Sequence, residues 1–172
     1  MGMRTIRSIA VLLTVLLWAC APQATAAPGM DRFVDPANGW SISYPVGWRL
    51  DGSDPAVFQF HDPENQALVG VRVMPTDLPL NASVDQMLAS YAQRLQEKQL
   101  TWAVSSRQLT SLPNGTTAVS VRGDLVPGGR SRQLYVVKGG KVFGVNAETY
   151  LPFWDKFAGN FEQMVESFRP PA

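Results

Sequence analysis

The chain has 172 residues, 45% hydrophobic and 17% charged, with a formal charge of +1. Those proportions suit one globular domain plus an export signal, and they exclude a disordered or collagen-like chain. One cysteine allows no internal disulfide, and no basic run offers a surface to nucleic acid.

Residues 1–26 read as an export signal peptide. Arg4 and Arg7 make a positive start, and Ile9 to Trp18 form an apolar run shorter than the about 20 residues a membrane-spanning helix needs. Two cleavage readings stand. Leu17-Trp18-Ala19-Cys20 has the form of a bacterial lipobox with Cys20 as the lipid-bearing residue, although Trp18 occupies a place that favours a small side chain. Ala24-Thr25-Ala26 is an A-x-A site that would start a soluble protein at Ala27. Without residues 1–26 the chain keeps 13 Lys and Arg against 14 Asp and Glu, a charge of −1. Residues 27–30 then form a flexible leader and residues 31–169 a single domain.

Arg32 to Val34 and Trp40 to Tyr44 are short apolar strands around an Asn38-Gly39 turn, with Trp40 and Trp48 expected to fill one end of the core. Val57 to His61 and Leu68 to Met74 alternate as a hairpin, with Phe58 and Phe60 facing inward. Ser83 with Gln86 forms a capping box, and Val84, Met87, Leu88, Tyr91 and Leu95 follow at helical spacing to about Gln99. Trp102 to Leu112, Thr117 to Leu125, Arg132 to Lys138 and Lys141 to Ala147 are strands joined by turns rich in Gly, Pro and Asn, which implies an antiparallel meander. From Tyr150 to Phe168 a last helix sets Trp154, Phe157, Phe161, Met164 and Phe168 along one side. So large an apolar stripe must lie on a sheet. The expected fold is α+β: an antiparallel β-sheet flanked by helices, one on each face or both on one.

Few side chains announce chemistry. His61, Asp62 and Glu64 form an H-D-x-E turn that would hold a divalent metal ion weakly, whereas a true zinc site draws on three or four ligands. A solvated polar turn is the simpler reading. No G-x-S-x-G elbow or phosphate loop is present, and Gly128-Gly129-Arg130 reads as a hairpin turn. No catalytic residue and no cofactor-binding residue is assigned.

The C-terminal third is more specific. Gly140-Lys141-Val142-Phe143, Asn146-Ala147-Glu148-Thr149, Trp154, Lys156 and Ser167-Phe168 resemble the ending of PsbP-family proteins. Asn38 to Trp48, an aromatic strand followed by Pro45 and Trp48, is similar to that family's opening block. The family comprises extrinsic lumenal proteins of photosystem II and broader bacterial relatives, including the DcrB-like periplasmic and lipoprotein group. The resemblance implies an α/β/α sandwich without enzymatic activity, acting as an accessory or assembly protein on an envelope or membrane protein complex. Some members bind metal ions, but no family metal ligand matches a position of this chain. The alternative is a periplasmic protein that binds a small molecule or metal ion. Either way the chain is expected in the periplasm or a lumen, soluble or held to a membrane by a lipid on Cys20.

Overall fold

The computed structural model describes residues 28–54 and 56–172. Cys20 and both cleavage sites lie outside them. An N-terminal hairpin pairs β1 (Met30–Val34) with β2 (Ser41–Pro45) as a two-stranded sheet. Asp35 holds its turn by accepting from the Ala37 N–H at 2.9 Å and the Asn38 Nδ2 at 2.7 Å. Met30, expected in the leader, is the first residue of β1 and is buried.

The other seven strands form one antiparallel sheet. They are β3 (Arg49–Asp54), β4 (Val57–His61), β5 (Ala67–Pro75), β6 (Thr101–Ser111), β7 (Thr117–Val126), β8 (Gly129–Lys138) and β9 (Lys141–Tyr150). Their spatial order is β3-β4-β5-β9-β8-β7-β6, so the two meanders join where β5 pairs with β9. Gly139 and Gly140, at φ 58° and 70°, make the tight β8–β9 link whose twist matches its strands. β3 extends well past Leu50, and it is exposed throughout, so no alternation marks it in the sequence.

Two helices cover opposite faces. α1 (Leu80–Glu97) packs on β6 to β9, burying Val84 and Met87 against Val119, Val121, Tyr135 and Val142. It starts three residues before the expected cap. Pro79 precedes it, and Ser83 is buried with its hydroxyl 3.1 Å from the Leu78 carbonyl, so the capping box does not form. α2 (Trp154–Ser167) also departs from its expected start. Tyr150 ends β9 and a 3-10 turn at Leu151–Phe153, fixed by Pro152, intervenes.

α2 carries the larger core. Phe157, Phe161, Met164 and Val165 are buried on Leu134, Val136, Phe143, Val145 and Ala147, which are alternate residues of β8 and β9. The β1–β2 hairpin closes the same layer with Trp40 and Ile42. Trp48 meets Phe157 and Phe161 at ring separations of 6.0 and 6.5 Å, both edge to face. Phe161 is fully buried and also touches Trp154. Truncation by Phe161→Ala is therefore expected to cost about 3–5 kcal/mol in urea unfolding, through lost burial plus the cavity left behind.

Candidate functional site

A sheet buried on both faces favours unbroken apolar strands. On the α1 side the pattern breaks. β5 presents Leu68, Gly70 and Arg72 there, while β9 presents Gly144, Asn146 and Glu148. Register lines these up in three rows across the sheet. Val57, Arg72, Gly144 and Tyr135 form one row; Gln59, Gly70, Asn146 and Gln133 the next; His61, Leu68, Glu148 and Ser131 the third.

α1 lies over β6 to β9, so the β4–β5 half of this face stays uncovered and the C-terminal turns of α1 stand beside it as a wall. Two hollows result. One, of about 270 Å³, is floored by Gly70 and walled by Tyr91, Arg94 and Leu95. The other, of about 390 Å³, lies toward His61, Pro127 and Tyr150. Leu68, Leu95, Lys98 and Glu148 line both, so they form one groove.

A polar network runs along its floor. Tyr91 donates its hydroxyl to Glu148 Oε2 at 2.8 Å, and Asn146 Nδ2 donates to the same oxygen at 2.7 Å. Tyr91 is braced edge-on by Trp102 at 5.2 Å, and the Trp102 indole donates to Ser131 Oγ at 3.1 Å. The indole lies over Gly123, where a Cβ would come within 2.0 Å of its nitrogen, so only glycine admits this packing. At Gly144 a Cβ would meet Met87 at 2.6 Å and Tyr135 at 2.9 Å.

Electrostatics follow from burial. Desolvation raises the Tyr91 hydroxyl well above its ordinary value, helped by the Glu148 charge and hydrogen bond; burial does the same to Tyr135. Arg72 is pushed down, first by desolvation and then by the nearby Arg94 cation, against a smaller pull from Asp54.

The H-D-x-E residues point to different neighbours. His61 lines the larger hollow. Asp62 is buried beneath its turn, accepting from the Ala67 N–H at 2.7 Å and the Glu64 N–H at 3.1 Å. Glu64 pairs with Lys156 of α2 at 3.2 Å. Among the described residues no three His, Cys, Asp or Glu side chains gather as a metal site. The residues of the groove went unassigned in the sequence, although glycine, arginine, asparagine and glutamate on one face of two central strands were its signal.

Two outcomes are expected. Asp62→Ala strands two backbone N–H groups and should lower unfolding stability by about 1–3 kcal/mol, equally with and without added divalent ions, in urea titrations. Tyr91 and Tyr135 ionise less readily when folded than unfolded. Their stabilisation is thus complete below the unfolded value of about 10 and fades as pH rises beyond it. The urea midpoint should fall as pH rises from about 10 toward 12, and fall less in Tyr91→Phe.

Comparison with known proteins places this architecture. The solution structure of cyanobacterial PsbP (CyanoP) from Synechocystis sp. PCC 6803 is similar with a TM-score of 0.66 at 16% identity, over 87% of this chain and 97% of that one. A Pseudomonas aeruginosa protein of unknown function is similar with a TM-score of 0.52 at 15% identity, over 83% and 98%. Both likenesses are of fold. No curated protein matches the sequence significantly. The PsbP family profile matches residues 28–170, nearly all of the described residues, and the chain therefore belongs to the PsbP family.

Proposed function

We propose that the protein is an exported, non-enzymatic accessory or assembly factor of the bacterial envelope, acting by docking on a membrane protein complex. The observation that carries this reading is the family match, which spans residues 28–170. The leader adds to it, since Arg4, Arg7 and the apolar run after them suit export. A photosystem II-type complex is one candidate partner, and another membrane complex of the bacterial envelope is the other. Attachment through Cys20 would hold the domain at a membrane surface, and cleavage before Ala27 would let it diffuse to one. The intact mass of protein recovered from the native host separates these two forms.

The groove beside α1 favours a second reading, in which a periplasmic small molecule or metal ion is the ligand. For a metal at His61, Asp62 and Glu64, Asp62 would have to give up the backbone N–H groups it now holds, and Glu64 its lysine.

Chemical cross-linking in native membranes, followed by affinity capture of the full-length protein, tests the docking role. The same membrane protein should be captured repeatedly from membranes and be absent when an unrelated exported bait is used. Repeated capture of no specific membrane protein overturns the reading.

A further inference from the structure

We propose that the hollow over Gly70 binds a small carboxylate that also carries an N–H donor, the chemistry of a free amino acid. This goes beyond docking on a complex and rests on three features of the α1 face.

The first is the hollow itself. Gly70 sits mid-strand in β5, where glycine weakens a sheet by its entropy and by offering nothing to pack. No close approach demands it. A Cβ built there meets nothing nearer than the Phe58 carbonyl at 4.0 Å, and its φ lies outside the left-handed region. At Gly144, one row away on β9, a Cβ would by contrast crowd Met87 and Tyr135. What Gly70 provides is empty space in the floor of a cavity of about 270 Å³. Ligand cavities run from about 300 to 1,000 Å³, so the occupant is small.

The second is a cation with no close ion pair among the described residues, Asp54 exerting only a weak pull on it. Arg72, one row from Gly70, is not among the ion pairs of the described residues. It is partly desolvated, and Arg94 stands near it with its own guanidinium held by Ser90 Oγ at 2.8 Å. Two arginines that repel each other in a half-buried hollow are stabilised by an anion between them, and a planar carboxylate matches the guanidinium fork.

The third is an acceptor end. Asn146, beside Gly70 in its row, spends Nδ2 on Glu148 and leaves Oδ1 buried without a donor. Glu148 takes both Tyr91 and Asn146 on Oε2, and its negative charge favours a cationic donor. Glu97, the last residue of α1, and Lys98 after it add one charge of each sign at the wall. Cations at one end and acceptors at the other describe a dipolar ligand.

Isothermal titration calorimetry of the full-length protein with each proteinogenic L-amino acid tests this. At least one should bind with a Kd below about 1 mM. Gly70→Val fills the hollow in a strand that favours β-branched residues, so it should melt no lower than the parent while weakening binding at least about tenfold. Arg72→Gln should weaken binding to a similar degree and leave the circular dichroism spectrum unchanged. Absence of binding by every amino acid up to about 1 mM, or undiminished binding in both variants, overturns the proposal.

Discussion

The aromatic stripe of α2, seated on alternate residues of β8 and β9, is the contact on which the molecule depends. Phe157 and Phe161 stack with centroids 6.1 Å apart, and Phe168 bridges from Phe143 to Trp40 at 6.1 Å on each side. Each such ring withdraws about 150–250 Å² from water, and with one cysteine in the chain no disulfide shares the task. The β1–β2 hairpin has no place to fold without this layer. A two-stranded hairpin is marginal alone, and here Phe33 and Trp40 join the cluster of Phe58 and Phe60.

The opposite face is built to a lower standard of closure. α1 contributes one aromatic ring to it, that of Tyr91, and the sheet beneath carries hydroxyl, amide and carboxylate groups where the other face carries phenylalanine and valine. Burying those groups is tolerable where they find partners, as the Tyr91 hydroxyl and Asn146 Nδ2 do on Glu148, while Asn146 Oδ1 and Gln133 Nε2 are left without one. The molecule thus places its larger core on one side of the sheet and keeps a polar recess beside the smaller core on the other.

Much of this was legible in the residues. Asn-Gly, Pro-Asn-Gly and Gly-Gly turns place most strand ends within one to three residues, because those residues supply backbone angles that others resist. The stripe from Trp154 to Phe168 announced a helix on a sheet. Three things were hidden. Helix spacing cannot say which face of a sheet receives a helix, so α1 and α2 could have shared one. β3 is exposed along its length and leaves no alternation to detect. The groove is assembled from β4, β5, β9 and α1, whose registers are set by pairing and not by local pattern. Even so, Gly70, Arg72, Asn146 and Glu148 break the apolar run of central strands, and that break is visible to anyone who knows those strands are central.

Residue 41 has a mechanical meaning. Ser41 exchanges backbone hydrogen bonds with Arg169 at 2.9 and 2.8 Å, and Ser43 N–H donates to Ser167 Oγ at 2.8 Å, so the opening hairpin is laced to the closing tail. The chain enters the domain through β1, on the α2 side. Tension on β1 therefore meets the β1–β2 pairing, and this lacing behind it, before it reaches the seven-stranded sheet. The recess lies on the other face of that sheet, away from the lacing that joins the two ends of the domain.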